Sequence, residues 1–147
     1  MPEAPVPDAI AEFLDAPNLC VMAVLRPDGS PHTTAIWYRW LGDDRLLVNM
    51  DDIRPRLKWL QRDGRVAFTC IDPESFYRQV SLMGHVEEMY DDADRSDIDA
   101  LSMAYVGKPY PRTAHPRISV RIRIDRWHGW DRDPNEAENP DRPRLPV

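Results

Sequence analysis

The segment Arg117–Trp130 constrains the fold more than any other feature, because apolar and polar residues alternate along its first half. A period of two places successive side chains on opposite faces, which is typical of a half-buried β-strand. The apolar series is Ile118, Val120, Ile122 and Ile124, and the polar series is Arg117, Ser119, Arg121 and Arg123. A strand needs partner strands, and the 15 prolines of the chain argue against a helical bundle.

Further strand-like segments precede it, separated by turn signals such as Asp28-Gly29. We predict strands at Leu19–Leu25, His32–Trp40, Arg45–Met50, Arg65–Ile71 and Tyr77–Met89. Gly84, in the middle of the last of these, marks a predicted β-bulge. Short helices are predicted after Asp8, from Pro55 and across Asp91–Tyr105. The sequence therefore predicts a mainly β domain with peripheral helices, built on six antiparallel strands in a barrel or strongly curled sheet.

Charge and hydropathy exclude some classes of partner. The formal net charge of −6 and the pI of about 5.1 argue against a general nucleic-acid binder, which needs an excess of Lys and Arg. No apolar run approaches the roughly 20 residues that a membrane helix needs. The N-terminus shows no secretory signal, so we expect a cytoplasmic protein with neither a nucleic-acid nor a membrane partner.

The two cysteines, Cys20 and Cys70, lie within apolar runs far apart in the sequence. They allow one disulfide, but two buried thiols in a reducing compartment are the simpler interpretation.

No motif identifies a catalytic side chain or a metal site. The chain has no Gly-rich phosphate loop, no zinc-type cysteine spacing and no nucleophile elbow. Its histidines are scattered over four predicted elements, so we predict no metal site.

A pair of arginines, Arg54 and Arg56, flanks Pro55 at the start of the second predicted helix. Two guanidiniums beside a helix N-terminus can hold a phosphate or carboxylate. The alternative is that both arginines form ion pairs with Asp51 and Asp52 at the surface.

The chain ends in a proline-rich, charged stretch with almost no apolar residues. We predict a domain over residues 1–130 and a C-terminal tail over 131–147. From about Pro134 onward the tail is expected to be disordered or to lie across a partner.

The order of several short motifs resembles one known family, the pyridoxamine 5′-phosphate oxidase-like flavoproteins with a split β-barrel. The motifs are Arg26–Ser30, Ile36–Tyr38, Arg54–Arg56, Leu60–Val66 and Arg78–Gly84. Within the family, the chain is most similar to the branch of small enzymes that use the deazaflavin coenzyme F420. The resemblance covers roughly residues 8 to 130. It implies an FMN-binding split-barrel type of fold.

The resemblance also implies a set of cofactor-binding residues. Those along the ring would be Thr34, Ala35, Ile36 and Trp37, continued by Asn49 and Met50. Arg54 and Arg56 would grip the cofactor phosphate, and Gln79 would reach the ring, with Tyr77 two residues before it. Trp127 falls where the family places a tryptophan from the other subunit. The alternative for Tyr77 is a half-buried aromatic of a strand, and the alternative for Trp127 is packing within the barrel.

The function implied is that of a homodimeric oxidoreductase with its cofactor at the subunit interface. It would transfer hydride between F420 and a small conjugated, unsaturated or quinone-like substrate, with His32, Tyr77 or Tyr110 as candidate proton donors. The alternatives are an FMN-dependent enzyme of the same family and a non-catalytic flavin- or ligand-binding protein. The chain lacks the R-x-H-x-R substrate motif that pyridoxamine phosphate oxidases carry after the tryptophan, so vitamin B6 oxidation is not implied.

Overall fold

The computed structural model describes residues 1–132 and 144–147. Seven strands and three helices occupy these residues, in the order α1 (Asp8–Asp15), β1 (Leu19–Leu25), β2 (Pro31–Ile36), β3 (Arg39–Gly42), β4 (Arg45–Asp51), α2 (Pro55–Arg62), β5 (Arg65–Asp72), β6 (Ser75–Asp91), α3 (Ser96–Val106) and β7 (Arg117–Asp131). None of these helices has the length and apolar character needed to cross a membrane. The mainly β architecture with peripheral helices is confirmed.

The strands form one antiparallel sheet in the order β2-β1-β5-β6-β7-β4-β3. β2 and β3 are the two edges of the sheet, yet only Trp37 and Tyr38 separate them in the chain. The three steps from Ile36 to Arg39 span no more than about 11 Å. The sheet must therefore curl until its edges almost meet, which gives a split barrel rather than a closed one.

The prediction of six strands is wrong by one, because the segment His32–Trp40 forms two strands. Among the described strands, β2 pairs only with β1, and β3 pairs only with β4. The break falls where the Tyr38 side chain is buried and its hydroxyl donates a hydrogen bond to the Ala16 carbonyl oxygen at 3.0 Å. The apolar pattern runs through the break, so local sequence gives no sign of it.

The core lies inside the curl and receives alternate residues of each strand. On β7 these are Val120, Ile122 and Ile124, as the alternation predicts. The helix α1 adds Ile10, Phe13 and Leu14 to the same core. Residues of the opposite parity on each strand face outward.

Gly84 lies at the predicted bulge, which is confirmed by a register shift between Met83 and Gly84 in the pairing of β6 with β7. A Cβ at this position would overlap the carbonyl oxygen of Arg123. Only glycine therefore allows β7 to approach so closely at this bend.

The end of the chain returns to the core. Leu145 is 3% exposed and its backbone N–H donates to the Asp131 carboxylate at 3.0 Å. The tail prediction for residues 133–143 lies outside the described residues, and the domain boundary at residue 130 stays a prediction.

Candidate functional site

An open groove of about 580 Å³ lies beside the end of β2, where the curled sheet meets α3 and the start of α2. Its floor is apolar and its walls carry aromatic, amide and guanidinium groups. The lining residues are Leu19, Cys20, Val21, Ala35, Ile36, Trp37, Asn49, Arg56, Ile71, Ile98, Tyr105, Tyr110 and Arg117.

The groove brings together five of the residues predicted to bind a cofactor, namely Ala35, Ile36, Trp37, Asn49 and Arg56. They come from β2 and the residue after it, from β4 and from α2. The pairing of the sheet and its curl bring these segments to one place. The other six predicted residues do not line it, and each has a structural reason.

Thr34 and Met50 do not line the groove. Thr34 is the register partner of Met22, which is fully buried and lies outside the groove as well. Met50 is 2% exposed within the core, whereas its neighbour Asn49 faces the groove.

Trp127 also belongs to the core of its own chain. Its indole is 7% exposed, and its Nε1–H donates to the Glu3 carbonyl oxygen at 3.2 Å. So little exposed surface leaves almost no indole area for a cofactor bound to a partner subunit. Trp127 therefore packs within the barrel of its own chain, as the alternative interpretation states.

Tyr77 and Gln79 lie on β6, outside the groove. Gln79 is the register partner of Ile71, a floor residue, so the two side chains project from the same face of the sheet. Tyr77 is 43% exposed.

One end of the groove is cationic. Arg56 is partly buried, and its Nε–H has no hydrogen-bond partner among the described residues, although the atom is inaccessible to solvent. Burial lowers the pKa of Arg56, and repulsion from Arg54 lowers it further. An unpaired, partly desolvated guanidinium is costly, and a bound anion would relieve that cost.

Arg54 and Arg117 share the carboxylate of Asp51. Arg54 lies 3.1 Å from it, and Arg117 makes a short ion pair with its other oxygen. Burial alone would raise the pKa of Asp51, but Arg117 and then Arg54 outweigh burial and hold it below its usual value. Arg54 therefore forms the predicted ion pair with Asp51 and does not line the groove. Arg56 lines the groove and, among the described residues, has no such partner, so its guanidinium is available to a ligand.

An aromatic wall stands beside the cationic end. The rings of Trp37 and Tyr105 stack at 5.5 Å with an interplanar angle of 13°, and Tyr110 meets Trp37 edge-on at 6.0 Å. The guanidinium of Arg117 lies 4.9 Å from the centre of the Tyr110 ring. Such a wall suits a flat, conjugated ligand.

The hydroxyl of Tyr105 is already engaged in a hydrogen bond within the protein. It donates to the Asn18 carbonyl oxygen at 2.8 Å, and burial raises the pKa of Tyr105. Of the three candidate proton donors only Tyr110 lines the groove. His32 instead contacts Trp59, with its Nδ1 3.2 Å from an Arg26 nitrogen.

Asn49 is held by a polar network. Its Oδ1 accepts a hydrogen bond from Arg117 Nε at 2.7 Å, and its Nδ2 donates to Asp92 at 3.0 Å and to Ser119 at 3.1 Å. Because both ends of the amide are satisfied, Asn49 forms a rigid part of the wall.

Sequence reasoning did not assign Arg117 or Tyr105 to the site, and it named Tyr110 only as a candidate proton donor. Arg117 was identified only as a polar position of an alternating strand, yet it is the register partner of Asp51 and is 7% exposed. Tyr105 and Tyr110 reach the groove from α3 and the loop after it. No local signal distinguishes them from surface aromatics.

Within residues 1–132 and 144–147, no cluster of three or more His, Cys, Asp or Glu side chains could hold a metal ion.

The sequence model of the pyridoxamine 5′-phosphate oxidase family matches residues 6–131. No curated protein matches the chain. Among solved structures, the chain is similar to an F420 reductase, with 26% identity, a TM-score of 0.76 and coverage of 84% of this chain and 98% of that one.

A conserved hypothetical protein from Mycobacterium tuberculosis is 25% identical, with a TM-score of 0.69 and coverage of 99% of this chain and 93% of that one. An FAD and heme binding protein from Mycobacterium smegmatis is 22% identical, with a TM-score of 0.60 and coverage of 97% of this chain and 81% of that one. At that identity the likeness shows the fold alone.

Proposed function

The chain belongs to the pyridoxamine 5′-phosphate oxidase family, and from this membership we propose that it is an F420-dependent oxidoreductase. It transfers hydride between the deazaflavin, bound in the groove, and a small conjugated, unsaturated or quinone-like substrate. Support comes from the similarity to an F420 reductase, at 26% identity over 84% of this chain.

The observation that carries the proposal is the guanidinium of Arg56, for which the described residues provide no ion-pair partner, at one end of an apolar groove. The floor formed by Leu19, Ile36 and Ile71 suits one face of a flat ring system. The buried Nε–H of Arg56 lacks an acceptor among the described residues, and a phosphate oxygen would supply one. The residues present thus fit a flat cofactor that carries an anionic arm.

The bound deazaflavin supplies the hydride chemistry, so no side chain of this protein needs to act as a strong acid or base. The protein binds and orients: the aromatic wall and the apolar floor exclude water from the ring. Tyr110 Oη is the group from which a proton would reach the substrate.

Titration of the purified protein with F420 and with FMN tests the proposal. We expect micromolar binding of F420. Arg56→Ala should weaken it by about 10- to 100-fold, because it removes charge-assisted hydrogen bonds to the phosphate. Arg62→Ala is the matched control: it removes the same group from an exposed position of the same helix.

Failure of both cofactors to bind would refute the cofactor assignment. Equal loss of affinity in the two arginine variants would show that general charge, not the Arg56 site, drives binding.

FMN is the second candidate cofactor because the matching family is that of pyridoxamine 5′-phosphate oxidase. Protein that purifies yellow with bound FMN would favour it. Binding without turnover of any quinone, enone or tetrapyrrole acceptor would favour a non-catalytic carrier.

We further propose that the protein is a homodimer and that the second copy docks on the outer face of β1, β5, β6 and β7. Three cross-strand rows form this face: Leu19, Ile71, Gln79 and Trp130; Val21, Thr69, Ser81 and His128; and Ala23, Ala67, Met83 and Arg126. Arg126 alone among them carries a fixed charge, and it pairs with Glu3.

The face is continuous with the groove, because Leu19, Val21 and Ile71 belong to both. A second copy on this face would therefore cover the open side of the groove and put the cofactor at the interface. Its chemistry is that of an interface core, which is poor in charge.

Light scattering after size exclusion tests the dimer. Met83→Glu should give monomers, because it buries a carboxylate in the interface, whereas Met103→Glu on α3 should stay dimeric. The two methionines are 46% and 51% exposed, so the changes are well matched. A monomeric wild type, or a Met83→Glu variant that remains dimeric, would contradict the proposal.

A further inference from the structure

The two cysteines of the chain face each other beneath the groove. Cys20 on β1 is the register partner of Cys70 on β5, and their sulfur atoms lie 3.5 Å apart. Both are free and buried. No other cysteine exists in the chain, so an internal disulfide can join only these two.

The backbone already provides the separation that a disulfide needs. Directly opposed residues of antiparallel strands have Cα atoms about 4.5–5.5 Å apart. That separation falls within the range of about 4.4–6.8 Å seen across disulfides. Rotation of the two side chains is therefore enough to bring the sulfurs together, and β1 and β5 stay paired.

The two thiols differ in access. Cys20 lines the groove, whereas Cys70 is fully buried behind it. Burial raises the pKa of Cys70 well above its usual value, and the contact with Cys20 raises it further. A small reagent that enters the groove therefore meets Cys20 first, and Cys70 is placed to react second.

We propose that Cys20 and Cys70 form a redox-active dithiol, which hydrogen peroxide entering the groove converts to a cross-strand disulfide. The Cys20 sulfur attacks one peroxide oxygen, the O–O bond breaks, and Cys20 becomes a sulfenic acid while one water leaves. The Cys70 sulfur then displaces the sulfenic oxygen, which departs as a second water with the Cys70 proton. Two thiols are oxidised and one peroxide is reduced.

The disulfide would connect the two strands that carry much of the groove floor, since Leu19, Val21 and Ile71 flank the cysteines on β1 and β5. The redox state would thus alter the floor of the groove directly. This inference goes beyond the proposed function and stands without it, because it needs only the two thiols and a small oxidant.

Intact-mass spectrometry of the reduced, full-length protein after peroxide treatment tests it, with free thiols alkylated after denaturation. We expect loss of two hydrogens, a linked peptide pair containing Cys20 and Cys70, and full reversal by dithiothreitol. The melting temperature should rise on oxidation, because the cross-link restricts the unfolded chain. Two thiols that both remain alkylatable, or a sulfinic acid at Cys20 without a disulfide, would overturn the proposal.

Single variants test the order of the two steps. Cys70→Ala should stop at a sulfenic acid on Cys20, which dimedone captures, and Cys20→Ala should leave Cys70 unmodified at the same peroxide dose. Circular dichroism checks that both variants fold, and Cys→Ser versions replace any that do not. Dimedone capture at Cys70 in Cys20→Ala would overturn the proposed order in which the two thiols react. Whether the disulfide forms at all is decided by the experiment on the wild-type protein.

Discussion

Arg54 and Arg56 are two residues apart, and the structure gives them different environments. Arg54 is an exposed ion-pair partner of Asp51, whereas Arg56 lines the groove and its Nε–H finds no acceptor in the part of the chain that the structure describes. Sequence spacing treats the pair as one anion site. The difference arises because Asp51 is already shared with Arg117, which comes from a segment 66 residues away.

Asp51 offers a test of this charge arrangement by pH. Its pKa in the folded protein is below the ordinary 3.8, so the folded state favours the ionised form. The resulting stability is fully present above 3.8 and is lost as the pH falls through the folded pKa. We expect Asp51→Asn to cost about 2 kcal/mol of unfolding free energy at neutral pH, and less in acid.

Urea unfolding of the wild type and the variant from neutral pH to about pH 3 measures this difference. Asp52→Asn is the control, since Asp52 is the exposed neighbour of Asp51. A difference between wild type and Asp51→Asn that stays constant over the whole pH range would contradict the assignment.

Among the elements, α3 is positioned by a buried carboxylate that belongs to the segment before it. Asp92 is 4% exposed and accepts hydrogen bonds from the backbone N–H groups of Asp97 and Ile98, and from Asn49. It therefore satisfies the first turn of α3 and connects it to β4. Through this connection α3 holds Tyr105 in the aromatic wall.

Asp92→Ala should lower the free energy of unfolding by about 2 kcal/mol, because it removes the acceptor of the Asp97 and Ile98 backbone N–H groups and one of the two acceptors of the Asn49 amide. Denaturant unfolding measures the loss. Asp91→Ala removes the exposed neighbouring carboxylate and should change stability little. If the two variants were equally stable, Asp92 would not have the positioning role described here.

The strands show how far local pattern determines an element. β1, β4, β5 and β7 begin and end within a residue or two of their predicted bounds, because turn residues and alternation are local signals. The prediction of a single strand over His32–Trp40 is wrong because its break depends on the tertiary structure and not on a local signal. Its break at Trp37 and Tyr38 is imposed by the change from one sheet edge to the other.

On the scale of the whole molecule, the two ends of the sequence meet. Leu145 packs into the same core as Ile10, and Gly129 permits this because a Cβ there would overlap the Pro146 carbonyl oxygen. The composition of the last residues predicts a tail without a core of its own. The described end instead uses the core of the barrel.

Leu145→Ala should therefore destabilise the protein by about 2 kcal/mol, the lower end for a buried leucine. Thermal and urea unfolding measure the change. Val147→Ala, at a position that is 57% exposed, is the control and should be close to neutral. A neutral result at both positions would show that the C-terminal residues are not part of the stable core.

The sequence by itself determined most of the strands, the turns, the bulge at Gly84 and the resemblance to the family. These depend on residue type and on short spacings along the chain. Within the candidate site, the resemblance led to Ala35, Ile36, Trp37, Asn49 and Arg56, of which Ile36, Trp37 and Arg56 lie within the short motifs that match the family.

Only the tertiary structure decided the remainder. The curl of the sheet divides one predicted strand into two, and the pairing of β4 with β7 brings Arg117 to Asp51. Close packing buries Trp127 and Leu145 in the core. These outcomes depend on contacts between segments that are distant in the sequence, and no local period or spacing encodes such contacts.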